Sequence, residues 1–80
     1  MYYVYIIKAI NFPGKFYVGY TLNLQNRLEA HNHGQSIYTA EHKPWEPVLH
    51  LAFNNKSKAL EFEKYLKSHS GRAFMQKRLT

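Results

Sequence analysis

Eighty residues suffice for a single domain spanning 1–80, since a chain this short buries only about 60–65% of the surface its unfolded form exposes, and a second core is excluded. The absence of cysteine excludes disulfides and thiolate metal sites, so seven Tyr, five Phe, one Trp and the aliphatic residues must hold the fold by packing. The formal charge of +6 suits a polyanionic partner, although charge of this size serves solubility equally well.

In chain order, Tyr2 to Ile7 is dense in β-branched and aromatic residues, and Phe16 to Tyr20 repeats that character after Asn11-Phe12-Pro13-Gly14. The pair predicts a β-hairpin closed by a Pro-Gly turn. From Thr21 or Asn23 the spacing turns helical, with Leu24, Leu28 and His31 at i, i+4 and i+7 and Gly34 as C-cap. A long connection, Gln35 to Pro47, holds Tyr38 and Trp45, which are expected to pack it; Val48 to Phe53 then reads as a third strand. Asn54-Asn55 offers an N-cap to a second helix, Lys56 to Ser68, with Gly71 as a break before a short basic helix or tail, Arg72 to Thr80. The expected class is α+β: a three-stranded antiparallel sheet flanked by helices, in the order β-β-α-β-α with a last α turn. The apolar start lacks the basic opening and cleavage site of a signal peptide, and no stretch approaches the roughly 20 apolar residues of a membrane span, so no membrane association and a cytoplasmic location are expected.

Three polar residues fall where apolar ones belong. Arg27 and His31 lie beside Leu24 and Leu28 on the face of the first helix expected to meet the sheet, and Glu63 is surrounded by Ala59, Phe62 and Leu66 on the second. Taken singly they have ordinary explanations: Arg27 snorkels, His31 answers a helix dipole, and Glu63 pairs with Arg27 or with Lys67 at i+4. On the strands, Tyr3 and Tyr5 share one face, as do Tyr17 and Gly19, and Gly19 leaves room beside Tyr17 for a ligand or another backbone. Together these residues compose a recognisable chemistry: phenol and imidazole for proton transfer, guanidinium for phosphate charge, and carboxylate for a hard metal ion.

Tyr3-Val4-Tyr5, Tyr17-Val18-Gly19, the helix Thr21 to Asn32 with Arg27 and His31, and Ala59-Leu60-Glu61-Phe62-Glu63 resemble, in that order, the motifs of the GIY-YIG nuclease superfamily. Pro44-Trp45-Glu46-Pro47-Val48-Leu49 is similar to its small stand-alone bacterial (UPF0213-like) members and to the structure-selective branch that cuts DNA junctions. Tyr3 stands where the family has its first Gly. The resemblance covers essentially the whole chain. It implies a divalent-metal-dependent DNA endonuclease of DNA repair or recombination, with Tyr5, Tyr17, Arg27, His31 and Glu63 catalytic and Glu63 holding one Mg²⁺ or Mn²⁺ ion. The base is left open among Tyr5, Tyr17 and His31; His31 is the simplest on its ordinary pKa. DNA is the expected partner, positioned by Lys64, Lys67, Arg72, Lys77 and Arg78, with Lys56 and Lys58 beside them, and a targeting protein is a second. The alternative is a non-catalytic nucleic-acid-binding or protein-interaction module on the same fold.

Overall fold

In the computed structural model, which describes residues 1–79, strand β1 (Tyr2–Ala9) runs between β2 (Phe16–Thr21) and β3 (Trp45–Phe53) in an antiparallel sheet of order β2-β1-β3. Helices α1 (Leu24–Asn32), α2 (Lys56–Leu66) and α3 (His69–Arg78) complete the order β-β-α-β-α-α, the α+β class expected from the sequence. Thr80, at the end of the expected basic tail, lies outside the described residues.

The central strand is buried on four consecutive residues, Val4 to Ile7, because both faces of the sheet are covered. On one face Val4, Ile6 and Val18 pack with Ala59 and Leu66 of α2 and Met75 of α3. On the other, Tyr5, Ile7 and Ala9 pack with Trp45, Tyr17 and Leu24 and Leu28 of α1. The period-2 alternation of β1 thus serves two cores, one under each helix layer.

Local chemistry sets the helix boundaries. The side chains of Asn23 and Asn55 accept from the backbone N–H groups of Asn26 and Lys58, and Gly34, at φ 74°, follows the C-cap of α1 in the left-handed conformation that only glycine adopts without strain. The hairpin turn closes through Gly14, at φ 81°.

Three expectations need correction. Gly71 does not break the chain: it lies in the first turn of α3, where a Cβ would fall on the Tyr65 carbonyl, so its role is close helix–helix approach. The break comes earlier, at Lys67-Ser68, where the Ser68 hydroxyl caps α3 by accepting from Gly71 N–H. Strand β3 starts at Trp45, three residues before the expected Val48. Pro47 is tolerated there because β3 is an edge strand and its pairing with β1 shifts register between Ile6 and Ile7. Of the two aromatics in the long connection, Trp45 is buried as expected, whereas Tyr38 is 82% exposed and packs nothing down.

Candidate active site

The face of the sheet under α1 carries a buried polar chain inside an aromatic cluster. Tyr5, 2% exposed, places its phenol oxygen 2.8 Å from His31 Nε2, and His31, 1% exposed, places Nδ1 2.7 Å from Oγ1 of Thr39. The Thr39 hydroxyl is directed at the Ser36 carbonyl at 3.5 Å, which leaves its oxygen as the acceptor for an Nδ1–H. That network assigns the tautomer of His31: Nδ1 carries the proton, and Nε2 offers its lone pair to the Tyr5 O–H.

The long connection exists to hold this arrangement. Trp45 Nε1–H donates to the Thr39 carbonyl at 2.8 Å, while Asn32 grips the Trp45 backbone twice, accepting from its N–H at 2.7 Å and donating to its carbonyl at 3.0 Å. Asn32 ends α1, so one clamp ties the helix carrying His31 to the strand that carries Trp45 and, through it, to Thr39.

Burial keeps both partners neutral near pH 7. The Tyr5 phenol is pushed well above the usual tyrosine range, first by desolvation and then by the neighbouring Tyr17; the Arg27 charge opposes the rise and the Glu63 charge adds to it. Desolvation, helped by Arg27, holds the His31 imidazole below its ordinary pKa. The charges of Arg27 and Glu63 thus both reach the Tyr5 phenol, with opposite sign and less effect than burial and Tyr17.

Tyr17 stands against the same imidazole with ring centroids 5.0 Å apart, and 6.5 Å from the ring of Tyr5; unlike Tyr5 it is half-exposed. The room above Gly19 is not left for a ligand, as the sequence suggested. Gly19 pairs with Tyr5 across the two strands, and a Cβ there would fall on the Tyr5 phenol. The glycine lets the phenol lie flat on the sheet and reach His31.

The two charged residues are less buried than their helix positions implied. Arg27 is exposed at the margin of α1, because a guanidinium beside Leu24 and His31 can reach water along its own stem, and among the described residues it joins no ion pair. The Glu63 side chain is 20% exposed and pairs with Lys67 Nζ at 3.2 Å, the i+4 arrangement that the sequence left open; Glu61 is a surface residue paired with Lys58.

Compared with known protein families, residues 1–78 match the GIY-YIG catalytic domain. The chain belongs to the GIY-YIG family. It is 36% identical over 69 residues to a UPF0213 protein of Staphylococcus saprophyticus, a match covering 85% of this chain and 82% of that protein. It is also 42% identical over 55 residues to a structure-specific endonuclease subunit, an SLX1 homologue of Drosophila mojavensis, covering 62% of this chain but only 18% of that one. The solution NMR structure of a UPF0213 protein from Bacillus halodurans superposes with a TM-score of 0.56 at 30% identity, over 94% of this chain and 82% of that one.

Within this GIY-YIG fold, the two strand motifs supply Tyr5 and Tyr17, and α1 supplies His31 with Arg27 at its margin. Among the described residues no group of three His, Cys, Asp or Glu side chains converges on one point. Glu63 is a carboxylate whose charge acts on the Tyr5 phenol, and it would be the single protein carboxylate offered to an ion there. That suits a Mg²⁺-like ion, which keeps waters and takes other oxygens from a substrate phosphate, and does not suit a transition-metal cage.

Of the five cations expected to meet nucleic acid, Lys67 and Arg72 line one cleft with Tyr17, while Lys64, Lys77 and Arg78 are exposed outside it. Lys15, not among the cations expected from the sequence, lines the cleft as well. Thr39 and Asn32 were missed as well. Neither carries a periodicity or spacing signal, since each acts across a loop. The sequence clue was that a long Gly- and Pro-bounded connection needs interior hydrogen bonds. No helix of the described residues is long and apolar enough to cross a membrane.

Proposed function

We propose that this chain is a divalent-metal-dependent DNA endonuclease, hydrolysing phosphodiester bonds at the cluster of Tyr5, Tyr17, Arg27, His31 and Glu63. The observation that carries the reading is the buried chain from Tyr5 through His31 to Thr39, which holds two titratable groups neutral and in hydrogen-bonding contact beneath a half-exposed phenol. The charges of Arg27 and Glu63 reach the Tyr5 phenol, and a cluster of perturbed titratable groups supports a functional site.

On this reading Tyr17 and Arg27 face the phosphate: Tyr17 orients the attacking water, and the Arg27 guanidinium stabilises charge on the phosphoryl oxygens. Tyr5 receives the water proton as its own proton passes to His31 Nε2. A bond forms from the water oxygen to phosphorus, the bond to the leaving oxygen breaks, that oxygen takes a proton from solvent, and the proton on His31 Nε2 returns to solvent through Tyr5, which restores the neutral pair. With both nitrogens of His31 engaged, the imidazole acts through Tyr5 and not directly on water. Glu63 is the residue that would hold Mg²⁺ or Mn²⁺, one ion, whose chemistry when bound is to neutralise charge on a phosphate oxygen. Lys67 must exchange its partner for this to occur.

The name of the Drosophila relative, a structure-specific endonuclease subunit, supports preference for a DNA structure over a sequence and action beside a second protein; the setting we propose is repair or recombination in the cytoplasm. The ion pair between Lys67 and Glu63 supports a second reading, a nucleic-acid-binding module in which the carboxylate stays occupied. A cleavage panel of branched, single-stranded and duplex DNA with Mg²⁺ or Mn²⁺ separates the two. Wild type should cut and Glu63→Ala should not; binding without cutting by either establishes the module.

A further inference from the structure

A cleft opens along the outer edge of β2, between that strand and the α2–α3 pair, with Tyr17 on its wall. Its floor is apolar, formed by Val18, Leu66 and Met75, all buried. Its charged residues are Lys15, Lys67 and Arg72, with no acid among the residues that line it. At the far end Gln76 of α3 donates to the carbonyl of Gly14 at 2.8 Å, tying the hairpin tip to the last helix and fixing the width of the cleft.

Two other clefts differ in charge. The one along α1 is lined by Glu29 and no Lys or Arg, and the one under the hairpin holds Lys8 paired with Glu46 at 3.4 Å. Lys15 and Arg72 face the cleft with no acid among its lining, and Lys67, paired with Glu63 at 3.2 Å, adds a third cation at the end nearest the candidate site, so the cleft presents positive charge to a polyanion. Lys67 also sits beside Glu63, and Tyr17 also packs on His31, so the cleft is continuous with the candidate site.

We propose that this cleft carries the sugar–phosphate backbone of the DNA strand leading away from the scissile phosphate, with Lys15 and Arg72 each contacting one phosphate and Lys67 the phosphate nearest the site. The inference rests on the nuclease reading for its ligand, and deepens it by assigning a side of the site and a path. Recognition is through phosphates alone, so it is independent of base sequence. Lys64, Lys77 and Arg78 fall outside the path.

The test is fluorescence anisotropy with labelled duplex and single-stranded oligonucleotides, in EDTA so that nothing is cut, across a salt series. Lys15→Ala, Arg72→Ala and their double variant are compared with Lys56→Ala and Lys77→Ala, exposed cations outside the cleft; circular dichroism verifies folding. Each cleft variant should lower the slope of log K against log salt by about 0.9 on duplex or about 0.7 on single strands, the double variant by twice that, and the controls by less than either. Amide shifts on titration should map to residues 14–18 and 66–76. Equal losses in cleft and control variants, or shifts elsewhere while DNA still binds, overturn the path and leave the nuclease reading standing. No binding to any DNA at low salt overturns both.

Discussion

Replacing Thr39 by Val removes one hydroxyl from a fully buried position and keeps the side-chain volume nearly unchanged, so it deletes the short hydrogen bond to His31 together with the long one to the Ser36 carbonyl. In the wild type the imidazole Nδ1–H has Thr39 Oγ1 at 2.7 Å as its acceptor. In the variant one of two things must happen. The Nδ1 proton stays and loses its partner, at a cost of about 1–3 kcal/mol for a buried donor. Otherwise the proton moves to Nε2, which then donates to Tyr5, and the Tyr5 O–H loses its acceptor instead, at similar cost. Either way stability should fall by about 2 kcal/mol, roughly 8–16 °C in Tm for a domain of this size. Thr39→Ser keeps the hydroxyl and loses only a methyl group, worth about 0.8 kcal/mol. Thermal unfolding by circular dichroism reads the stability, and imidazole ¹⁵N shifts read which nitrogen is protonated. Cleavage should fall roughly tenfold or more in the Val variant, within the about 10²–10⁴ range of general acid–base effects, and less in the Ser variant. If Thr39→Val is as stable as Thr39→Ser and its imidazole shifts match wild type, the hydroxyl does not set the tautomer and the assigned chain is wrong.

Stability should also depend on pH through His31. Its folded pKa lies below its ordinary 6.5, so between the two values the unfolded chain binds more protons and stability rises with pH; the stabilisation present above about 6.5 is lost as pH falls toward the folded value. Urea titrations from pH 7.5 down to 4.5 should show that slope, and His31→Gln should flatten it. At the alkaline end the sign reverses for Tyr5, whose folded pKa is raised: stability is complete below about 10 and declines above it as the unfolded phenol ionises, a decline that Tyr5→Phe should remove. Gly19→Ala should push the Tyr5 phenol off His31, because the new methyl falls on the ring and the ring is buried; an overpacking cost of about 1–3 kcal/mol and a lost Tyr5–His31 contact by nuclear Overhauser effects are expected. Lys67→Met should strengthen Mn²⁺-induced broadening of Glu63 resonances, since the competing ammonium is gone; unchanged broadening argues against Glu63 as the ion's holder.

What the sequence revealed follows from where the determining contacts lie. The strand hairpin, the Asn55 cap and the helical spacing of Leu24, Leu28 and His31 are set within a few residues, and the structure keeps them. The burial of His31 was legible because an imidazole at i+7 of an apolar stripe has nowhere else to go. Arg27 was placed too deep, since periodicity gives the direction of a Cβ but not the path of a long stem to water. Gly71 was read as a break because its tolerance in α3 depends on the Tyr65 carbonyl of another helix, a contact no local pattern encodes. Thr39 and Lys15 were invisible for the same reason: one meets His31 across a loop, and the other lines the cleft against α3, where Gln76 donates to the neighbouring Gly14 carbonyl. The buried chain of hydrogen bonds is thus a tertiary property, and the residue types alone left the proton's route open.

The most direct measurement is single-turnover cleavage of a branched DNA in Mg²⁺ by wild type and Tyr5→Phe, each verified as folded. The account predicts metal-dependent cutting by wild type and a loss of about 100-fold or more in Tyr5→Phe, because the only group lost is the hydroxyl that passes its proton to His31. Equal rates for the two proteins would contradict it, as would wild type that binds the branched DNA and leaves every phosphodiester intact.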